Sequence, residues 1–158
     1  MNEKIKQTIS LISDKLAQLQ DPYWLIGSSA LVLAGIQLEA IDDVDLLTSN
    51  RDADWLKQQW VTKKLNDYLP ANADKFLSNF GRYKWGELMV EVMGELKVYQ
   101  NGEWVPLKIE NWEEIEIEGL KLKIPTLLEQ YRIFKLFGRD KDLKKANLII
   151  EQTKYSTI

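Results

Sequence analysis

Two aspartates set two residues apart, in Asp43-Val44-Asp45-Leu46-Leu47, are the residues of this chain whose spacing most suggests chemistry. On a strand, residues i and i+2 point to the same face, so Asp43 and Asp45 stand side by side while Val44 and Leu46 turn into a core. Two adjacent like charges are costly unless something positive lies between them, and a divalent cation is the usual answer. A solvated strand end or a helix cap would also account for the pair, although the apolar neighbours argue against a fully exposed strand. The chain has no cysteine and no histidine. That removes disulfides, thiolate ligands, a cysteine nucleophile, the commonest general base and the commonest zinc ligand. A metal site here must use oxygen ligands, which points to Mg²⁺ or Mn²⁺.

The elements that must position these acids read as follows. Apolar residues Ile5, Ile9, Ile12, Leu16 and Leu19 recur at spacings of three and four and predict an amphipathic helix over 2–19, ended by Asp21-Pro22. Trp24-Leu25-Ile26 suits a short buried strand. Gly27-Ser28-Ser29 then makes a tight turn in which Ser28 or Ser29 caps a helix over 29–35, stopping near Gly35. A loop over 36–42 leads into a strand over 43–48. Ser49-Asn50-Arg51-Asp52 signals a turn and a helix start. Trp55, Leu56, Trp60, Leu65 and Tyr68 extend a rough helical spacing over 54–68, broken by Pro70-Ala71-Asn72. Residues 73–81 fit no single pattern.

Arg82–Trp85 and Glu87–Met93 read as strands about Gly86, and Glu91 is a lone acid between Val90 and Val92. Asn101-Gly102 is a strong type I′ hairpin signal between 96–100 and 103–107, in a register that sets Tyr99 opposite Trp104. Residues 113–124, EEIEIEGLKLKI, alternate on both sides of Glu118-Gly119. A two-residue loop there pairs Glu116 with Lys121, Glu114 with Lys123 and Ile115 with Leu122, which is structural rather than functional. Pro125-Thr126 opens a helix that Gly138 closes. Asp140 starts a last helix over 141–152 with Leu143, Ala146, Leu148 and Ile149 as buried positions.

The order strand, Gly-Ser turn, helix, Asp-x-Asp strand, and later a strand with a lone acid resembles the nucleotidyltransferase fold of the DNA polymerase β superfamily. The residues that carry the likeness are Gly27, Ser28, Asp43, Asp45 and Glu91. The small bacterial members, among them antibiotic nucleotidyltransferases and abortive-infection or toxin–antitoxin proteins, often add a helical Lys-x-x-x-Arg-x-Lys-Asp. Here Lys135, Arg139, Lys141 and Asp142 match it. The resemblance spans roughly 23–48, 87–94 and 126–150.

It implies an α+β class: a mixed, twisted β-sheet with packed helices and C-terminal helices. It also implies that Asp43, Asp45 and Glu91 hold Mg²⁺ or Mn²⁺ and serve catalysis, Glu91 either as a ligand or as acceptor of a hydroxyl proton. Gly27, Ser28, Ser29, Lys135, Arg139 and Lys141 would bind a nucleoside triphosphate: the glycine admits a phosphate close to the backbone, and amides and hydroxyls at a helix start favour an anion. Arg132, Lys135 and Arg139 share one face if their helix runs through Gly138, with Arg132 more simply a solvated residue.

The chain departs from the pattern in several places. The spacer between Ser28 and Asp43 is fourteen residues. Glu39, Ala40 and Ile41 stand where relatives often place an arginine and a small hydroxyl residue. Asp42 adds charge beside the acids, Lys145 replaces a second aspartate after Lys-Asp, and the third acid is Glu91 rather than aspartate. Of the six tryptophans, Trp85 is the one placed to meet a substrate. Arg82 and Lys84 lie on the same candidate strand within reach of a substrate, although a solvated strand face is the simpler reading.

At 158 residues the chain suits one domain over 1–158, with a core over about 20–124 and C-terminal helices over about 125–152. With 45% apolar and 28% charged residues it has the make-up of a soluble globular protein. A net charge of −3 disfavours long nucleic acid as a partner. No segment reads as a signal peptide or a membrane span, so a cytoplasmic location is the expectation.

Three readings follow. The first is an enzyme that transfers a nucleoside monophosphate from a triphosphate to a hydroxyl of a small-molecule or protein acceptor. The second is an inactive nucleotide-binding or antitoxin-like member that binds a partner protein. The third is a structural domain whose acids never meet. A homodimer through the first helix stays open if its apolar face is not fully covered.

Overall fold

Alternating apolar residues at Val44, Leu46, Val90 and Val92 build the centre of a sheet whose other face carries the acids. The computed structural model describes residues 2–41, 43–65 and 72–153. In chain order the elements are α1 (Asn2–Leu16), β1 (Trp24–Ile26), α2 (Gly27–Leu33), β2 (Asp43–Thr48), α3 (Asn50–Gln59), β3 (Phe76–Trp85), β4 (Leu88–Gln100), β5 (Glu103–Pro106), β6 (Trp112–Ile117), β7 (Leu120–Pro125), α4 (Leu127–Phe137) and α5 (Asp140–Thr153). The main sheet runs β1-β2-β4-β3, with β5 added to β4. Only β2 and β4 are parallel; the other pairs are antiparallel. The class is α+β with a mixed sheet, as the resemblance implied.

One face of this sheet is closed by α1 and α3. Ile5, Ile9, Ile12 and Leu16 of α1 are fully buried with Leu25, Val44, Leu46, Val90 and Tyr83. The chain itself thus covers the apolar stripe of α1, and the argument for a dimer through that stripe lapses. Asp52 is buried at the start of α3, where its carboxylate accepts the backbone N–H groups of Gln20 and Asp21 at 3.0 and 2.9 Å. Those amides end α1 and lead into β1, so α3 holds the entry to β1 in place. Gly94 lets α3 approach β4: a Cβ there would lie 2.8 Å from the Cβ of Ala53.

Two expectations change. The helix read over 54–68 is α3, and it stops at Gln59. It begins at the Ser49 signal, where the Ser49 hydroxyl accepts the N–H of Asp52. Trp60 leaves the helix to pack edge-on against Tyr83 and Trp85, at 5.1 and 5.6 Å between ring centroids. Tyr68, Pro70 and Ala71, also used in that reading, lie outside the described residues. The ambiguous stretch 73–81 supplies the start of β3, because pairing with β4 overrides the weak strand preference of Ser78, Asn79 and Gly81.

The hairpins follow the expected registers. Tyr99 stands opposite Trp104, and Glu116, Ile115 and Glu114 stand opposite Lys121, Leu122 and Lys123. The two strands read over 87–93 and 96–100 are one strand, β4 from Leu88, which continues through Gly94-Glu95 with a register shift opposite Leu77–Asn79. Helix α4 is capped by Thr126 and closed by Gly138 in the left-handed conformation. Among the described residues no helix is long and apolar enough to cross a membrane.

Candidate active site

The acids converge through strand register. Asp43 and Asp45 share a face of β2, and the parallel pairing sets Asp45 opposite Glu91 on β4. Carboxylate oxygens of all three lie within 4.8 Å of one another. The antiparallel β1–β2 pair sets Ile26 opposite Asp45, which brings the next residue, Gly27, against the same carboxylate. A Cβ at Gly27 would collide with Asp45 Oδ2, and its φ of +74° is the left-handed region that favours glycine. The reading in which the acids never meet is overturned.

Two of the three acids have an internal counter-ion that sequence reasoning assigned to solvent. Arg82 of β3 stands opposite Glu91. Its guanidinium donates to Glu91 Oε2 at 2.7 Å and to Asp43 Oδ1 at 3.4 Å. Asp45 Oδ1, by contrast, is buried with no hydrogen-bond partner. Burial, then the charges of Glu91 and Asp43, push the Asp45 carboxyl well above its ordinary range. Glu91 is also pushed up, by burial and by the charge of Asp43, against the opposing pull of Arg82. A pocket of three oxygen donors with one orphaned buried oxygen and excess negative charge fits a hard divalent cation.

The acids open into a cavity of about 540 Å³, within the usual range for small-ligand sites. Gly27 and Ser28 line it, as do Arg139, just before α5, and Lys141 and Lys145 of α5. The start of α5 is built around Asp142. This buried carboxylate accepts the backbone N–H of Arg139 at 3.2 Å and its side-chain Nε and Nη2 at 2.6 and 3.0 Å. The arrangement is one half of a capping box, the third helical residue reaching back to the N–H before the helix, with an added ion pair. It explains why Arg139 and Asp142 occur together, and it leaves Lys141 at the cavity edge.

The remaining expected residues separate. Ser29 caps nothing: Ile26 is the N-cap of α2, which has no side-chain cap. The Ser29 hydroxyl instead donates to the carbonyl of Asp43 at 2.7 Å, tying α2 to β2 away from the cavity. Lys135 is exposed on α4 and is not among the residues that line the cavity. Because α4 stops at Phe137 and Gly138 turns left-handed, Arg132, Lys135 and Arg139 do not share a helical face. Arg132 pairs with the buried Glu129 at 2.7 Å. Trp85 packs on Trp60 and under Lys63, and it does not line the cavity.

Lys145 is the residue that sequence reasoning missed, having noted it only as a departure. It is half-buried one turn beyond Lys141, in the lining beside Asp45. Burial lowers its proton affinity, while the charges of Asp142 and Asp45 raise it. Its i+4 spacing from Lys141 was the available signal.

Comparison with solved structures finds this fold in nucleotidyltransferases. A candidate nucleotidyltransferase from Thermotoga maritima matches with a TM-score of 0.75 and 20% identity, over 98% of this chain and 95% of that one. The lincosamide antibiotic adenylyltransferase LnuA, solved with lincomycin bound, matches at 0.57 and 15%, over 90% and 94% of the two chains. The antibiotic-resistance factor ANT(2'')-Ia matches at 0.60 and 12%, over 97% and 86%. No family model matches the sequence, and no curated protein does. The chain has the nucleotidyltransferase fold.

Proposed function

We propose that this chain is a metal-dependent nucleotidyltransferase that moves a nucleoside monophosphate from a triphosphate to a hydroxyl of a small acceptor. The observation that carries this is the convergence of Asp43, Asp45 and Glu91 around a buried Asp45 oxygen with no hydrogen-bond partner. A Mg²⁺ or Mn²⁺ ion held by these acids would neutralise charge developing on the transferred phosphoryl group.

The chain's own residues divide the remaining work. Gly27 admits a phosphate close to the backbone and Ser28 offers a hydroxyl beside it. Lys141 and Lys145 set positive charge in the same cavity, where the triphosphate tail would lie. The acceptor oxygen bonds to the α-phosphorus, the bond from that phosphorus to the bridging oxygen breaks, and pyrophosphate leaves. Glu91, set opposite Asp45 by strand register, would either complete the ligands of the ion or take the hydroxyl proton. LnuA is an adenylyltransferase, so ATP is the first nucleotide to test.

One observation favours a second reading. Arg82 bridges two of the three acids, and a chain that kept it there would bind nucleotide or a partner protein without turnover. Calorimetric titration with ATP and Mg²⁺, followed by pyrophosphate release on a panel of hydroxyl compounds, separates the two. Binding with turnover lost in Asp45→Asn supports the enzyme. Binding without turnover on any acceptor favours the second reading, and no binding at millimolar ATP sinks both nucleotide readings.

A further inference from the structure

Beyond the phosphate turn and the acids, the cavity continues along β3 and β4 as an apolar wall. Phe80 stands opposite Met93, one pleat along from the Arg82–Glu91 pair. Residues two apart on a strand share a face at a spacing of about 7 Å. A hydroxyl presented to Glu91 therefore has its carbon body against Phe80 and Met93. Phe76, on the same face of β3 as Phe80, extends the wall, and its ring meets Phe137 of α4 edge-on at 4.9 Å. A cleft whose approach to the acids is lined with apolar side chains suits a ligand with apolar surface.

Charge narrows the ligand further. Among the described residues, the carboxylates that line the cavity are the three converging acids and Asp142. Both oxygens of Asp142 are held by Arg139, whose guanidinium lies 4.8 Å from the Phe76 ring centre. Among the described residues that line the cavity, no carboxylate is left over beside the wall to hold a polycation. A polyanion would compete with the triphosphate for Lys141 and Lys145. Resting on the proposed transfer reaction, we infer that the acceptor is a small hydroxyl compound with an apolar body, uncharged or singly charged, of the kind of an alkyl-substituted sugar. Its hydroxyl faces Glu91 and its apolar part lies on Phe80, Met93 and Phe76.

The chain has three methionines, so a ¹³C-methyl methionine spectrum isolates Met93 once Met93→Leu assigns its signal. The labelled protein, with and without Mg²⁺ and α,β-methylene-ATP, would be titrated with hexyl β-D-glucoside, with the polycation tobramycin and with a short oligouridylate. The expected result is a saturable Met93 shift with the glucoside alone. Phe80→Ser and Ser78→Glu, which sets a charge between Phe76 and Phe80 on the same face, should each weaken it about tenfold while the ATP analogue binds within twofold of wild type. Circular dichroism checks that both variants fold, and Ser78→Glu serves if Phe80→Ser does not. No glucoside shift, or a stronger shift with tobramycin or the oligonucleotide, overturns the inference. So does loss of ATP-analogue affinity in Phe80→Ser, which would make the wall a base pocket. Failure of the ATP analogue to bind would strike the transfer reaction instead, and the nucleotide-free glucoside arm still reads the wall.

Discussion

The two faces of the main sheet are made from the same strands and do opposite things. On one face Leu25, Val44, Leu46, Val90 and Tyr83 pack against α1 and α3, and of these five only Tyr83 carries a polar side-chain atom, its hydroxyl. On the other face the intervening residues are Ile26, Asp43, Asp45, Glu91 and Arg82, and α4 and α5 cover them only in part, leaving the cavity. The period of two along each strand separates them: residues one apart in sequence serve stability on one side and chemistry on the other. Oil packing on the first face holds β2 beside β4. That packing lets three like charges be held close together on the second face.

The largest effect is expected from Asp45→Asn, which should lower nucleotidyl transfer by about a thousandfold, near 4 kcal/mol of transition-state stabilisation. The same change should stabilise the metal-free protein by about 1 kcal/mol, since it removes a buried charge. Urea denaturation beside a pyrophosphate assay reads both. A loss of stability would mean that the carboxylate is structural.

The mirror-image change on the packed face is Leu46→Ala. It should cost about 3 kcal/mol of stability and leave activity per folded molecule nearly intact, because it opens a cavity between β2 and the helices behind it. A large fall in turnover of the folded fraction would show that the two faces are not independent.

The pH dependence should differ between the faces as well. Asp45 and Glu91 hold protons more tightly in the folded chain than in the unfolded chain. Their contribution to metal-free stability is therefore full below their ordinary titration range. It falls as pH rises through the folded values. Asp45→Asn should flatten that fall, and saturating Mg²⁺, which prefers the ionised acids, should reverse its sign. Thermal melts from pH 4 to 8 measure it, and a wild-type curve that rises with pH without metal would contradict it.

Arg82→Met should have a smaller effect. Removing the guanidinium from Asp43 and Glu91 should tighten Mn²⁺ binding by the nucleotide-free protein about tenfold, near 1.4 kcal/mol, as read by electron paramagnetic resonance. Unchanged affinity would mean that Arg82 and the ion do not compete. The smallest effect belongs to the β6–β7 hairpin, where Lys121→Glu sets like charges opposite each other and should cost about 0.5 kcal/mol without changing activity.

Much of this molecule was legible before folding, and the legible parts have a common character. The hairpin registers at Asn101-Gly102 and Glu118-Gly119, the caps Thr126 and Gly138, and the shared face of Asp43 and Asp45 each depend on residues near one another in the chain. Local backbone geometry decides them. Glu91 was legible as a lone acid in an apolar strand, and as a partner of the aspartates only through the family resemblance.

What stayed hidden depends on which distant segments meet. Arg82 reads as a surface residue until β3 pairs with β4 and sets it opposite Glu91. Ser29 reads as a cap until β2 offers its carbonyl. Lys145 is an odd substitution until α5 crosses the site and brings it beside Asp45. The sequence by itself determined the acids, the phosphate turn and the alternation that divides the two faces, because those are local and periodic. The tertiary structure alone decided which cations answer those acids and what kind of wall the acceptor would meet, because strand register and helix docking are settled by the packing of the whole core.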